Sequence, residues 1–483
     1  MTRPPDILFL MTDQMQARVF EPAHPCKTPH LDRLMARGVR FTRAYTPNPV
    51  CSPARASLMT GLLPHNHGVM WVTHNVARDQ GLLRTDKPHW AQHLAGAGYR
   101  TGYFGKWHVE RGDDPGAFGW QMDGSTEGAR YKALVDTAGS TKGEFRLAKY
   151  LDGPPGYEPR LLYAVTDTPP EVRGMGHVTS LAETFLTEAV ADDTPWCCFV
   201  SLQEPHDPFI AGADAFGRYD PDALELPPFD DLKDKPGLYR KAARTFTGLS
   251  ERERREAAAC YYASITELDA QFGRLLNLLE DAGRLDTTLV VLTSDHGELL
   301  GAHGLYCKNI GAFEEVYRIP LVVAGPGVAA GVTTDARVGL HELAPTLLEL
   351  AGAEPLPEAD GRAFTEVLRD PAQHGAVYTQ GYAEYHGTRY LLSQRVLWEG
   401  DLKFVFNGFD EDELYDLARD PFEQRNLVNN PDHQADVQRM MQGVWRMLER
   451  TGDRTLLKSH YPPLRLASRG PLPHKPTCKK GAS

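Results

Sequence analysis

The run "DILFLMTDQ", Asp6 to Gln14, has two readings that lead to different folds. As the apolar part of an N-terminal leader it would be cleaved away. As a buried strand it would begin a parallel sheet. The apolar residues stop before Asp13 and no A-x-A-like cleavage pattern follows, so it reads as a strand. Four runs of the same texture recur: "RTGYFG" (Arg100 to Gly105), "WCCFVSL" (Trp196 to Leu202), "TLVVLTS" (Thr288 to Ser294) and "PLVVAG" (Pro320 to Gly325).

Helical patterns separate these runs. "TPHLDRLMARG" opens on a capping Thr28 and stops at Gly38, and "PHWAQHLAGAG" stops at Gly98. The long segment from Ser250 to Gly283 opens on the capping box Ser250/Glu253 and suits one bent helix or two abutting ones. "HELAPTLLELAG" closes at Gly352. Strands alternating with helices predict an α/β fold with a doubly wound, mostly parallel sheet over residues 1–360. Short strands around tight turns such as "EGD" (Glu399 to Asp401), then one helix, predict a smaller antiparallel sheet plus helix over 361–452. Residues 453–483 form a Pro-containing tail with seven Lys and Arg, expected either to lie on a neighbour in a homo-oligomer or to be solvated.

A formal charge of −12 over 483 residues argues against a nucleic-acid partner, although a few local cations can still gather an anionic substrate. The seven cysteines are scattered, with no C-x-x-C pair, which speaks against a disulfide framework or zinc ribbon. No apolar stretch is long enough to span a bilayer, and the expected location is cytoplasmic.

In an open parallel sheet, ligands gather beyond the carboxyl ends of the strands. Asp13 and Gln14 follow the first run, Lys106 and His108 ("GKWH") the second, and His206 and Asp207 ("EPHDPF") the third. Asp295 and His296 ("SDHGE") follow the fourth, with His303 and Lys308 close behind. Between them stands "NPVCSPARASLMTG" (Asn48 to Gly61), which puts Cys51 one residue before a short helical segment, with Ser52 as candidate cap, Pro53 in the first turn and Arg55 one turn on. Asp13, Gln14, Asp295 and His296 offer donors for a divalent cation. Arg55, Lys106, His108, His206 and Lys308 offer the cations and proton carriers that hydrolysis of an anionic ester needs. Taken singly, each has an ordinary structural reading, such as a cap, a turn or a satisfied core histidine, and His65, His67, His74, His89 and His93 keep that reading. The shared placement at strand ends overturns it for the others.

"CSPAR…TG" resembles the sulfatase signature C-x-P-x-R…TG, and "GKWH" resembles the second signature of that family. "SDHGE…K" is similar to its distal metal and lysine segment, and "LYDLARDPFEQRNL" to the end of its C-terminal subdomain. The resemblance spans Asp6 to about Leu427. It implies an alkaline-phosphatase-like fold and hydrolysis of sulfate esters. It further implies that Cys51 is oxidised to formylglycine by a separate generating enzyme, and that Asp13, Gln14, Asp295, His296 and the modified Cys51 surround one divalent metal. On the same resemblance the aldehyde would hydrate to a diol, and one acidified hydroxyl would attack sulfur. His206, aided by Lys308, would protonate the leaving alcohol, and His108 would deprotonate the second hydroxyl to expel sulfate. Arg55 would hold the diol and Lys106 would bind sulfate oxygens.

Gln14 and His296 stand where many sulfatases carry Asp and Asn. That variant is similar to choline sulfatases and phosphonate monoester hydrolases. Three oxygen donors favour a hard ion such as calcium and the imidazole pulls towards manganese or zinc; the family resemblance implies calcium, with manganese second. A phosphonate monoester or phosphodiester hydrolase is the alternative, although such enzymes generally lack the Lys and His of "GKWH"; an inactive anion-binding homologue is more remote. The loops Trp71 to Arg78, Asp113 to Arg173 and Phe209 to Leu249 are expected to choose the alcohol.

Overall fold

The computed structural model describes residues 3–76, 83–84, 86–112, 114–138, 144–308, 310–388, 392–456 and 466–471. Parts of the expected specificity loops, and most of the expected tail, therefore lie outside the described residues. Fifteen described strands run in chain order: β1 (Asp6–Thr12), β2 (Gly38–Tyr45), β3 (Arg100–Gly105), β4 (Met122–Ser125), β5 (Phe145–Leu151), β6 (Arg160–Thr166), β7 (Trp196–Ser201), β8 (Phe209–Gly212), β9 (Thr288–Ser294), β10 (Arg318–Ala324), β11 (Val332–Gly339), β12 (Gln380–Tyr385), β13 (Gln394–Glu399), β14 (Leu402–Asn407) and β15 (Glu413–Asp416).

The main sheet has the order β11-β2-β10-β9-β1-β7-β3-β4. β1 is central, parallel to β7 on one side and to β9 on the other. All seven of its residues are buried, as its unbroken apolar run requires. Leu8 and Leu10 face the layer that holds the long helix Glu251–Asp281, while Ile7, Phe9 and Met11 face the layer containing Trp90, Leu343 and Leu347. That long helix is one continuous element, and its Ser250/Glu253 capping box is formed.

Two expectations fail in informative ways. "PLVVAG" lies in β10, which is antiparallel to both β9 and β2. The chain from Ser294 to Arg318 never crosses back under the sheet. It stays on the carboxyl edge, so β10 must start where β9 ended. Thr28 precedes the helix Pro29–Met35 without capping its backbone; its hydroxyl bonds Asp32 Oδ1 at 3.0 Å. Asp269, from the long helix, instead accepts from the backbone of His30 and Leu31 at 3.2 and 2.8 Å. "GVRFTRAY", unassigned in the sequence reading, is β2, and it delivers the chain to Cys51.

The antiparallel sheet β12-β13-β14-β15 packs against the helix Gln434–Thr451. Gly400 makes the "EGD" turn at φ 59°, a conformation that suits glycine. Asp453, first residue of the expected tail, is buried and ion-paired with Arg395 at 2.7 Å, and the Arg469 carbonyl accepts from Trp445 Nε1 at 2.5 Å. A third sheet, β5-β6-β8, flanks the site.

Candidate active site

The ends of β1, β2, β3, β7 and β9 bring Asp13, Cys51, Lys106, His206 and Asp295 to one edge of the main sheet. The helix Cys51–Thr60 starts at Cys51 itself, with Val50 as N-cap and no side-chain cap. Ser52, expected to cap it, lies inside the helix and accepts instead from the Thr73 backbone at 3.3 Å. Asn48 holds the entry to the helix: its Oδ1 accepts from Val50 N at 3.1 Å. Gly61, left-handed at φ 71°, ends it.

The Cys51 sulfur is buried, 3.2 Å from His296 Nε2, 3.7 Å from Asp13 Oδ1 and 3.8 Å from Lys106 Nζ. Burial alone would push its thiol up, but Lys106, Lys308 and His296 outweigh it and hold it well below the usual range. One donor atom each from Asp13, Cys51, Asp295 and His296 lies within 4.8 Å of the others. The two carboxylates are oriented alike. Asp13 Oδ2 meets Arg55 at 3.3 Å and also Lys106, and Asp295 Oδ2 accepts from Arg55 Nε at 2.8 Å. Their Oδ1 atoms face the His296 Nε2 at 3.5 and 3.6 Å. His296 Nδ1 lies 2.9 Å from the Gly297 carbonyl, an acceptor that suits a proton on Nδ1 and leaves the Nε2 lone pair to face a metal. Burial, which opposes charge, is outweighed at Asp13 by Lys106, His206 and Arg55, and its carboxyl is held well below the usual carboxylate range. This donor set, two carboxylate oxygens and an oriented imidazole beside residue 51, fits a divalent cation.

Gln14, expected among the metal ligands, directs its amide elsewhere. Its Oε1 accepts from Lys308 Nζ at 2.6 Å, and its Nε2 donates to Asp207 at 3.0 Å and to Glu298. The bare ammonium of Lys308 is the strongest donor within reach of that oxygen. Lys308 also bonds His206 Nε2, while His206 Nδ1 lies 2.6 Å from the Asp207 carbonyl. Asp207 in turn pairs with Arg160.

Arg55 is the hub of the cluster. Besides the two carboxylates it donates to the Lys106 carbonyl and to Ser201 Oγ, both at 2.8 Å. His108 Nε2 lies 3.0 Å from His74 Nδ1. Burial and the neighbouring Lys106 push the His108 imidazole down to about 4. Gln14 and His108 sit at φ 73° and 49°, a conformation non-glycine residues adopt only where the surroundings enforce it.

Sequence reasoning missed Ser201, Glu298, Arg160 and His74 as parts of the site, and noted Asp207 without using it. Glu298 stands in the quoted "SDHGE", two residues past His296, but only its burial reveals its role: burial and Asp207 push its carboxyl up to about 7, and Gln14 bonds it. Of the five histidines set aside, His74 joins the site and His65 joins a cluster described below. His67, His89 and His93 stay structural. His303 stacks on Phe313 and lies 3.1 Å from Asp230, away from the site.

A cavity of about 470 Å³ opens over Cys51, Lys106, His108, His206 and Lys308. Its outer wall includes Thr73, His74, Arg111, Glu127, Arg160 and Gln203, and no Phe, Tyr or Trp lines it among the described residues.

Comparison with known proteins places this site in context. The sulfatase family model matches residues 5–353, and the model for the N-sulphoglucosamine sulphohydrolase C-terminal region matches 301–450. A choline-sulfatase of Rhizobium meliloti is 30% identical over 459 residues, covering 89% of this chain and 83% of its own. The uncharacterised sulfatase YidJ of Escherichia coli is 31% identical over 435 residues, covering 88% of this chain and 83% of its own. Among solved structures, a phosphonate monoester hydrolase from Silicibacter pomeroyi superposes with a TM-score of 0.77 at 24% identity, covering 94% of this chain and 96% of its own, a likeness of fold.

Proposed function

The chain belongs to the sulfatase family of sulfuric ester hydrolases, and from that premise we propose that it cleaves sulfate monoesters with a formylglycine made from Cys51 as nucleophile. The observation that carries the reading is the setting of the Cys51 sulfur, at a helix start and within 3.8 Å of His296, Asp13 and Lys106. Asp13, Asp295, His296 and residue 51 would hold one divalent cation, calcium before manganese. The Gln14 carbonyl oxygen keeps a second lone pair beyond its Lys308 bond and could join them. When bound, the cation would supply Lewis acidity to the sulfate group and to residue 51.

The protein's own groups do the rest. Lys106 and Lys308 bind the sulfate oxygens, and the start of the helix Cys51–Thr60 adds a positive field. One hydroxyl of the hydrated residue-51 aldehyde, its proton given up to solvent in the open cavity, forms a bond to sulfur as the bond from sulfur to the alcohol oxygen breaks. That oxygen keeps the electron pair and takes a proton from the hydrogen-bonded His206–Lys308 pair. His108, uncharged above about pH 4, takes the proton of the second hydroxyl. The carbon–oxygen bond to sulfate then breaks, which restores the aldehyde.

The polar outer wall favours an alcohol rich in hydrogen-bonding groups. A trimethylammonium group would want an aromatic cage, and the described wall has none. The test is a panel of aryl, choline, sugar and alkyl sulfates plus phosphonate monoesters, run on wild type and on Cys51→Ala, with peptide mass spectrometry of residue 51. Formylglycine in the active protein and turnover of sugar sulfates above choline sulfate are expected. Full activity in Cys51→Ala would refute the nucleophile, and a preference for phosphonates would refute the substrate.

A further inference from the structure

His65, Glu384 and Asp453 bring a ring nitrogen and two carboxylate oxygens within 4.8 Å of one another, outside the lining of the catalytic cavity. The donor types suggest a second metal site; the hydrogen bonds exclude it. His65 Nδ1 lies 2.8 Å from Glu384 Oε2, and His65 Nε2 lies 3.1 Å from the Thr451 carbonyl. Both ring nitrogens face acceptors, so both carry protons and neither has a lone pair for a metal. Asp453 Oδ2 already accepts from Arg395 at 2.7 and 3.1 Å. The cluster is an imidazolium held between a carboxylate and the carbonyl end of the helix Gln434–Thr451, where a cation is favoured.

Its position gives it a use. Glu384, on β12 and fully buried, grips both ends of the segment that carries Cys51. At the near end its backbone N–H donates to the Pro47 carbonyl and its carbonyl accepts from Asn48 Nδ2, both at 2.9 Å. Asn48 is the residue that holds the helix entry at Val50. At the far end Glu384 Oε1 accepts from the His65 backbone at 2.7 Å, and Oε2 pairs with the His65 ring. The helix Cys51–Thr60 is thus strung between two attachments to one residue of the C-terminal sheet.

We propose that His65 and Glu384 are positioning residues, an imidazolium–carboxylate clamp through which the C-terminal sheet and its helix hold the Cys51 helix in register with the site. Its catalytic consequence rests on the reading of Cys51 as precursor of the nucleophile. The charged groups that face His65 are Glu384, Asp360 and Asp453, the last shared with Arg395. His386 Nε2 stands 3.3 Å from Glu384 Oε1, His67 is kept neutral by burial, and Glu449 and Arg450 on the last helical turn are exposed. Burial pushes the His65 imidazole down, Glu384 outweighs it, and the net position is up at about 9. Raised above its unfolded value, the group contributes fully below about pH 6.5, and its contribution is lost as pH rises through about 9.

The test uses the full chain with ¹³C-labelled histidine. The His65 resonance, assigned by its loss in His65→Gln, is expected to titrate near pH 9 and to fall to about 6.5 or below in Glu384→Gln. At pH 7, amide hydrogen exchange across residues 51–60 should quicken by about tenfold in Glu384→Gln, and kcat should fall by about the same factor with KM unchanged. Wild-type kcat should decline through pH 9, and the variant should lack that limb. His65→Gln, which keeps a neutral donor, should match Glu384→Gln and serves if the latter fails to fold. A His65 midpoint at or below 7, or unchanged exchange in either folded variant, overturns the clamp. Activity retained in Cys51→Ala with His65 titrating near 9 would overturn the nucleophile reading and leave the clamp standing.

Discussion

Arg55→Met removes the one guanidinium that touches both buried carboxylates and keeps an unbranched apolar stem in its place. Arg55 is 1% exposed, and Asp13 and Asp295 are fully buried. Removing one partner of such a pair leaves a buried charge without compensation and costs about 3–5 kcal/mol. Lys106 still pairs with Asp13, so most of the loss falls on Asp295, whose Oδ2 has Arg55 as its cation at 2.8 Å. Unfolding a chain of 483 residues carries an entropy of about 1 kcal/mol/K near its midpoint, so the expected fall in Tm is about 3–5 °C. The assay is a thermal scan of both proteins in chelator and again with excess Ca²⁺, at one scan rate. A bound cation balances the same carboxylates, so the gap should narrow with Ca²⁺. Arg55→Lys, which keeps charge but loses the planar fork, should fall between. A Tm for Arg55→Met equal to wild type in chelator would refute the reasoning, because no buried charge would then have lost its partner.

Other outcomes follow from the same geometry. His206→Ala should lower kcat/KM by about a hundredfold or more on substrates with poor leaving groups and much less on good ones, and an equal loss across a leaving-group series would refute its role as proton donor. Exhaustive chelation should abolish activity, and Ca²⁺ added back should restore it better than Mn²⁺. Activity that survives with no metal found by elemental analysis would mean that the carboxylates serve only the ion pairs with Arg55 and Lys106.

Much of the site was legible because its residues sit where local sequence changes character. Asp13–Gln14, Lys106–His108, His206 and Asp295–His296 each follow an apolar run directly, and a run that ends in polar residues marks a strand's carboxyl end whatever surrounds it. Ser201 lies inside such a run and Glu298 just beyond one, and neither carries a local mark. Each matters through one partner brought from elsewhere: Arg55 for Ser201, Gln14 for Glu298.

The sequence by itself determined the α/β class, the first strand, the capped start of the long helix and the nearness of Cys51 to a helix start, because hydrophobic period, caps and turn residues act within a few positions of one another. The tertiary structure alone decided the direction of β10, the true start of the Cys51 helix, the turning of Gln14 toward Lys308, and the joining of His65 to Glu384 across 319 residues. Periodicity reports that a residue is buried. Which charge meets it there is decided only when the sheet has brought its strand ends to one edge.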